Sequence, residues 1–156
     1  MRFYSVQGSI SRTVSPTINM FMNAKDFVRF CKDIKFWVEQ PMIEIETPLP
    51  YPVAELGKGG VRLHLVHYKT VMEAQNKWNV RKTRINYDNV CLIMNDRNEF
   101  TIQDAYEFDK LPYKKILLTH LPIDGCGSAQ YIKGFEKDPY VPVMAYYKNK
   151  FSIKKI

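Results

Sequence analysis

Two short runs that are mostly apolar, at residues 90–94 and 115–119, constrain the fold of this chain more than any other feature of its sequence. Runs of this length are typical of strands that are covered on both faces, as the strands of parallel sheets are. The segment between the two runs begins with Thr101 and Asp104 and predicts a short helix that ends near Pro112. A strand, a helix and a second strand in this order indicate parallel pairing with a right-handed crossover.

Patterns on either side of this unit predict further helices and strands. Asn23 is a favourable N-cap for a helix whose apolar residues recur every three to four positions until Pro41 ends it. Thr70 and Glu73 form a capping box, which predicts the start of a second helix. Short apolar or alternating segments predict strands at residues 42–46, 61–67, 131–134 and 141–147, and residues 53–56 are ambiguous.

The order of these elements predicts a single α/β domain over residues 1–156. We expect a three-layer α/β/α arrangement with a mainly parallel sheet built from β-α-β units, and short extra strands near the C-terminus. A chain of 156 residues buries enough surface to fold as one domain without a disulfide or a structural metal.

The formal net charge of +7 favours anionic partners, such as a nucleotide sugar or another anionic small molecule. The alternative is that the charge serves solubility alone. The basic residues are scattered, and no segment contains the block of about five to eight basic residues that marks a nucleic-acid-binding tail. We therefore expect no nucleic-acid partner.

The cysteines indicate a reducing compartment. Cys31, Cys91 and Cys126 are an odd number without a CxxC pair, which argues against a disulfide framework and a zinc ribbon. The sequence has neither a signal-peptide core nor a run of about 18 apolar residues. We expect a cytoplasmic protein without a transmembrane segment, with Cys31 and Cys91 in the core. Cys126 is expected to be exposed in a Gly-rich loop, where a nucleophilic thiol assisted by His120 is an alternative.

Polar side chains follow three of the predicted strands. His67 and Lys69 follow the first, Asp96 and Arg97 follow the second, and His120 follows the third. Ligands bind outside the carboxyl ends of the strands in open parallel sheets, so we expect these side chains to line one site. Loops are polar in any protein, so this clustering does not by itself define a reaction.

His120 and His67 are the candidate catalytic acid–base residues, because imidazole side chains change charge near neutral pH. The alternative for each is a structural histidine that is bonded to the backbone. His64 is three positions from His67, which places it on the opposite face of the strand and outside this site. No His-x-x-x-His spacing occurs in the sequence, so we expect no zinc centre.

Basic residues near the strand ends are candidates for binding phosphate. Asp96 with Arg97 indicates either a metal-and-phosphate pair or a base with its orienting cation, and the alternative is a turn with a surface ion pair. Arg81 and Arg84 belong to one basic helix, where the helix dipole favours cations in any case. The predicted phosphate-binding residues are Lys69, Arg81, Arg84, Arg97 and Lys133.

A set of motifs that covers nearly the whole chain resembles the motifs of one family. They include Ser15-Pro16-Thr17-Ile18-Asn19-Met20-Phe21-Met22, His67-Tyr68-Lys69, Met94-Asn95-Asp96-Arg97, Thr119-His120 and Tyr131-Ile132-Lys133-Gly134-Phe135-Glu136. The family is bacterial and is catalogued as a domain of unknown function, number nineteen-nineteen. The resemblance implies a three-layer α/β fold and a setting in exopolysaccharide or capsule biosynthesis. It also implies that this chain is a member shortened at both ends.

The implied setting and the predicted site together favour a transferase with a nucleotide-sugar donor and a polysaccharide or lipid-linked acceptor. His120 or His67 is then the base on an acceptor hydroxyl, Arg97 and Lys69 contact the diphosphate, and Asp96 contacts a metal or the sugar. An acyltransferase that acts on the polysaccharide is one alternative, and a non-catalytic module that binds a glycan or a partner is another. The sequence specifies neither a cofactor nor an oligomeric state.

Overall fold

The structure is a computed structural model that describes residues 2–5, as a strand, and residues 15–142. Its strands are β1 (Arg2–Ser5), β2 (Met42–Ile45), β3 (Val53–Leu56), β4 (Val61–His64), β5 (Val90–Asn95), β6 (Lys114–Thr119) and β7 (Ala129–Tyr131). Its helices are α1 (Ala24–Lys32), α2 (Ile34–Glu39), α3 (Val71–Lys82) and α4 (Ile102–Asp109), and a 3-10 turn spans Tyr87–Asn89. No helix in these ranges is long and apolar enough to span a bilayer.

The strands form two separate sheets. The larger sheet has the order β1-β5-β6-β7, in which β1 is antiparallel to β5 and the three other strands are parallel. Helix α4 lies between β5 and β6 in the chain, so the two buried runs pair in parallel as predicted. The smaller sheet has the order β2-β3-β4 and is antiparallel throughout. The mixed α/β class is therefore confirmed.

The predicted place of residues 61–67 in the parallel sheet is wrong. The strand β4 ends at His64 and pairs with β3, the segment that was ambiguous in sequence, through the Gly-rich turn between them. Gly57 and Gly59 adopt φ values of +69° and +67° in this turn, which glycine tolerates without steric cost. The tight turn makes a hairpin, so β4 joins an antiparallel sheet. The three-layer α/β/α arrangement with a mainly parallel sheet stays a prediction.

The last predicted strands differ from those in the structure. The strand predicted at residues 131–134 lies earlier, as β7, and Val141 and Pro142 are not in a strand. The remainder of the strand predicted at residues 141–147 lies outside the described residues.

The first predicted helix is two helices, α1 and α2, which meet at Asp33. The backbone of Asp33 leaves the helical region at φ −147°, and its side chain accepts a hydrogen bond from the N–H of Phe36 as the N-cap of α2. Asn23 makes no side-chain capping bond at the start of α1. The first N–H of α1, on Ala24, instead donates to the carbonyl of Asn98 at 2.9 Å. This contact joins α1 to the loop that follows β5.

Aromatic side chains from the helices form the centre of the core. Phe27 of α1 stacks on Phe108 of α4 at 6.3 Å between ring centroids, and Phe30 meets Trp78 of α3 edge-on at 6.1 Å. The indole N–H of Trp78 donates to the carbonyl of Val38 at 3.0 Å, so this buried polar group is satisfied. Helices α1, α3 and α4 are thereby packed into one core. The predicted burial of Cys31 and Cys91 is confirmed.

Candidate functional site

A hydrogen-bonded Asp96–His120 pair lies at the carboxyl edge of the parallel strands. Asn95, the last residue of β5, pairs with Leu118 of β6, and the N–H of Asp96 donates to the carbonyl of Leu118 at 3.2 Å. Asp96 and His120 therefore directly follow adjacent strands. Oδ2 of Asp96 lies 2.5 Å from Nδ1 of His120 and accepts the backbone N–H of His120 at 2.6 Å. The structure thus brings together Asp96 and His120, two of the predicted site residues.

The carboxylate of Asp96 is buried, and both of its oxygens accept hydrogen bonds. Its side chain is 3% exposed, against 21% for the side chain of His120. Its second oxygen, Oδ1, accepts the N–H of Val141 at 2.7 Å. When Asp96 is ionised and His120 is neutral, Nδ1 carries the proton and Nε2 is the nitrogen that can accept one, because an ionised carboxylate only accepts hydrogen bonds.

Arg97 lies beside the pair and is covered by Tyr140. The guanidinium carbon of Arg97 is 4.7 Å from the centroid of the Tyr140 ring, a distance at which the ring face attracts a cation. Tyr140 precedes Val141, whose N–H holds Asp96. The segment at residues 140–141 therefore contacts both residues of the predicted Asp96–Arg97 pair.

Lys133 lies at the same edge of the sheet. The strand β7 runs parallel to β6, with Thr119 opposite Tyr131, and the N–H of Ile132 donates to the carbonyl of Thr119 at 2.8 Å. Lys133 is exposed and lies one residue beyond Ile132. The third parallel strand thus contributes a cation to the edge that carries His120.

His67 and Lys69 do not follow a strand of this sheet. They come after β4, which belongs to the smaller sheet, so the shared strand edge that grouped them with His120 is not present. Both side chains are exposed, and the backbone N–H of Lys69 donates to the carboxylate of Glu73 at 3.1 Å at the start of α3. Their roles in acid–base chemistry and phosphate binding stay predictions.

Arg81 is engaged in contacts within the fold. Its Nη1 donates to the carbonyl of Ile18 at 3.2 Å and to the hydroxyl of Tyr68 at 2.7 Å, and that hydroxyl in turn donates to Ile18 at 3.0 Å. The hydrogen bonds of Arg81 therefore connect α3 to the segment that precedes α1. Arg84 is exposed just beyond the end of α3.

The predicted exposure of Cys126 is wrong. The residue is 8% exposed, and its Sγ lies 3.7 Å from the carbonyl of Ala105 and 3.6 Å from Oγ of Ser128. Asp109 holds the same loop, since its carboxylate accepts the N–H groups of Gly127 and Ser128 at 3.2 and 2.7 Å. These contacts fold the loop back onto α4, which buries the thiol.

His64 belongs to a separate aromatic cluster in the smaller sheet. Its ring stacks on Phe21 at 4.4 Å between centroids with an interplanar angle of 3°, and Nδ1 lies 3.5 Å from the hydroxyl of Tyr51. Burial lowers the pKa of His64, and the charge of Arg62 lowers it further, whereas Glu99 opposes the shift. His64 is therefore held in its neutral form over a wider pH range than an exposed histidine.

Sequence reasoning gave no role to several residues at this edge of the sheet. Asn95 and Thr119, which precede the Asp96–His120 pair, each have a buried side-chain oxygen without a hydrogen-bond partner in the described part of the chain. Because they directly precede Asp96 and His120, they could have been identified from the sequence. Val141 lies 45 residues from Asp96, and nothing in the local pattern indicated that contact. Across residues 15–142, no three His, Cys, Asp or Glu side chains are grouped to hold a metal ion.

Comparison with known proteins extends these observations. An uncharacterized protein of Haemophilus influenzae is 39% identical to this chain over 128 residues, which are 81% of this chain and 61% of the relative. The chain thus spans less than two thirds of the length of that relative. The family described as Domain of unknown function (DUF1919) matches residues 10–156, and the chain therefore belongs to this family.

Proposed function

We propose that this chain is a transferase of bacterial surface-polysaccharide assembly, in which His120 removes the proton from an acceptor hydroxyl. The single observation that carries the proposal is the bond between Asp96 and Nδ1 of His120. A carboxylate in this position fixes the tautomer that leaves Nε2 able to accept a proton. The acceptor oxygen then forms a bond to the transferred group as its proton passes to Nε2.

Asp96 acts as an orienting residue in this mechanism. Three N–H groups, from His120 and Val141, already occupy its carboxylate, which leaves it poorly suited to bind a metal or a sugar. Its negative charge stabilises the imidazolium that forms when His120 takes up the proton. This role replaces the contact with a metal or a sugar that the sequence suggested.

A nucleotide sugar is the donor that we favour. Breaking the bond between the sugar and the diphosphate leaves negative charge on the departing oxygen, which nearby cations stabilise. Arg97 adjoins the Asp96–His120 pair, and Lys133 follows the neighbouring strand. The net charge of +7 supports an anionic donor. A cytoplasmic location, which the unpaired cysteines favour, belongs to the same proposal. So does a polysaccharide or lipid-linked acceptor, which rests on the family setting.

Acyl transfer to a polysaccharide hydroxyl is the second candidate. The Asp96–His120 pair supports it equally, because a histidine base oriented by a carboxylate serves attack by a hydroxyl on an acyl carbon as well. The donor is then an acyl-coenzyme A, whose phosphates also require cations. The two candidates differ in the donor and share the base.

The test measures donor binding and turnover together. Thermal melts with uridine, guanosine and cytidine nucleotide sugars and with acetyl-coenzyme A identify the donor, because a ligand at about 100 times its dissociation constant adds roughly 2.7 kcal/mol to stability. Release of the nucleotide or of coenzyme A is then followed for His120→Gln, for His67→Gln at the other predicted base, and for Lys58→Gln as the control at an exposed position. We expect His120→Gln to lower kcat by about 100-fold to 10,000-fold. Wild-type turnover in that variant, or no shift with any donor, would contradict the proposal.

A further inference from the structure

Arg97 has an aromatic partner but no anionic one. The central carbon of its guanidinium lies 4.7 Å from the centroid of the Tyr140 ring, and this contact attracts the charge without accepting a hydrogen bond. Among residues 15–142 no ion pair includes Arg97, and its Nε is buried without a hydrogen-bond partner. Folded proteins satisfy nearly all buried donors, so this cation needs an acceptor that the described part of the chain does not supply.

Asp96 forms no ion pair with Arg97, although the two residues are adjacent in the chain. One oxygen of the Asp96 carboxylate accepts two N–H groups of His120, and the other oxygen accepts the N–H of Val141. The carboxylate is therefore directed at the candidate base and at the segment beyond β7. The positive charge of Arg97 is left to attract an anion from outside the chain.

A continuous series of contacts joins Arg97 to the candidate base. Arg97 contacts the ring of Tyr140, and the next residue, Val141, donates its N–H to Oδ1 of Asp96 at 2.7 Å. Oδ2 of Asp96 lies 2.5 Å from Nδ1 of His120. Each step in this series is a direct contact or a peptide bond. Tyr140 and Val141 together therefore position both Arg97 and the carboxylate that orients His120.

Two prolines restrict the segment that carries the ring. Pro139 directly precedes Tyr140, and Pro142 directly follows Val141. A proline fixes its own φ and limits the backbone of the residue before it, which here is Val141. The backbone at Tyr140 is thereby constrained from both sides, so the ring is held in a defined place against Arg97.

We propose that Tyr140 is a positioning residue that holds Arg97 ready to bind a diphosphate group beside His120. This inference rests on the proposed function and adds Tyr140 to the site. The planar guanidinium presents its N–H groups in a fixed fork that matches two oxygens of a phosphate. The ring restricts the side chain without occupying these donors, so less rotamer freedom is lost when the anion binds.

A diphosphate is the expected ligand because both candidate donors contain one. A nucleotide sugar carries it between the nucleoside and the sugar, and coenzyme A carries it between its adenosine and pantetheine parts. The role of Arg97 and Tyr140 is therefore the same whichever group is transferred. A single phosphate or a carboxylate carries less charge than a diphosphate and should bind more weakly.

Calorimetry on the full chain tests the role of Arg97. The probes are pyrophosphate, inorganic phosphate and acetate, and we expect pyrophosphate to bind most tightly. Arg97→Gln should weaken the binding of pyrophosphate by about 10-fold to 100-fold, the loss expected for hydrogen bonds to a charged group. Lys35→Gln is the matched control, because the ammonium of Lys35 also lies over a ring, that of Tyr87, at 5.3 Å. This variant should bind pyrophosphate as the wild type does.

Three results of this titration would overturn the inference. They are the absence of pyrophosphate binding by the wild type, tighter binding of acetate than of pyrophosphate, and equal losses of affinity in Arg97→Gln and Lys35→Gln.

Substitutions of Tyr140 separate a positioning role from a structural one. Tyr140→Phe keeps the ring face and should bind pyrophosphate as the wild type does, whereas Tyr140→Leu should bind it about 3-fold to 10-fold more weakly. Tyr140→Met is the second ringless variant if Tyr140→Leu shows no cooperative melting. A lower melting temperature for the ringless variant with unchanged affinity would overturn the positioning role, as would equal losses of affinity in the ringless variant and Tyr140→Phe.

Turnover distinguishes failure of this inference from failure of the proposed function. If pyrophosphate binds through Arg97 and Tyr140 but His120→Gln turns over normally, the diphosphate site stands and the proposed mechanism does not. If His120 is essential but Arg97→Gln and Tyr140→Leu leave kcat and KM for the donor unchanged, the mechanism stands and the diphosphate site is wrong.

Discussion

His120 is fixed to Asp96 by two hydrogen bonds to a single carboxylate oxygen, one from Nδ1 at 2.5 Å and one from its own backbone N–H at 2.6 Å. The other oxygen of the same carboxylate holds the N–H of Val141 at 2.7 Å. One buried side chain therefore sets the orientation of the imidazole, the end of β6 and the position of a segment 45 residues away.

Asp96→Asn should lower both stability and turnover. An amide offers one acceptor oxygen where the carboxylate offers two, so at least one of the N–H groups of His120 or Val141 loses its partner. A buried donor without an acceptor costs about 1–3 kcal/mol of unfolding free energy. Urea unfolding at pH 7 measures this loss. Asp88→Asn, at an exposed position in the turn before β5, is the control, and a loss for Asp96→Asn no larger than in the control would contradict the assignment.

The centre of the fold could be predicted because its signals are local. The apolar runs of β5 and β6 and the polar residues after them are contiguous in sequence, so the adjacency of Asp96 and His120 follows from parallel pairing. The helix between them begins with a capping box of Thr101 and Asp104, both of whose bonds are present. Each of these features depends on residues close together in the chain.

Other parts could not be predicted because they depend on distant contacts. The alternation of Val61, Arg62 and Leu63 indicates a half-exposed strand but does not say which strand pairs with it, and β4 joined β3 through the Gly-rich turn. The hydrogen bond from the N–H of Val141 to Asp96 is not indicated by any local sequence pattern. Sequence patterns predict helices, strands and the residues at strand ends. The position of the segment at residues 140–141 depends instead on tertiary packing.

Arg81→Met should destabilise the fold without weakening the binding of phosphate-bearing probes. The guanidinium donates to Ile18 and to the hydroxyl of Tyr68, so its loss removes two hydrogen bonds at a partly buried position. We expect the unfolding free energy to fall by about 1–3 kcal/mol. Lys77→Met removes the same charge from an exposed position on α3 and should change stability by less than about 0.5 kcal/mol. A loss of phosphate binding in Arg81→Met at unchanged stability would support the predicted role of Arg81 in phosphate binding.

Gly60→Ala should disrupt the hairpin between β3 and β4. A Cβ at this position would lie 1.8 Å from the carbonyl oxygen of Leu56 and 2.9 Å from Cζ3 of Trp37, so the backbone must shift. We expect a loss of about 3 kcal/mol or more in unfolding free energy, measured by urea unfolding. Gly59→Ala is the matched control, because its Cβ meets nothing within 4 Å and only its φ of +67° is unfavourable. That strain costs about 1 kcal/mol, and equal losses in the two variants would refute the clash.

Asp109→Asn should weaken the hydrogen bonds that hold the loop after His120 against α4. It should also change how the unfolding free energy depends on pH. A hydrogen bond from the side chain of Ser128 lowers the pKa of Asp109, and the N–H groups of Ser128 and Gly127 add to this effect, whereas partial burial opposes it. The pKa of this carboxyl is thus lower in the folded state than in the unfolded state. The stabilisation is fully present above the unfolded pKa, near 4, and is lost as the pH falls through the folded value.

As the pH falls below about 5, the wild type should therefore lose unfolding free energy more steeply than Asp109→Asn, because the amide does not titrate. At pH 7 the variant should be less stable by about 1–2 kcal/mol, a value near the low end for hydrogen bonds to a charged group because the site is partly exposed. Urea unfolding at pH 7, 5, 4 and 3 measures both effects. Asp124→Asn removes a carboxylate from the same loop while its carbonyl keeps the bond from the hydroxyl of Tyr106. Parallel pH profiles for Asp109→Asn and the wild type would show that Asp109 does not anchor the loop by its charge.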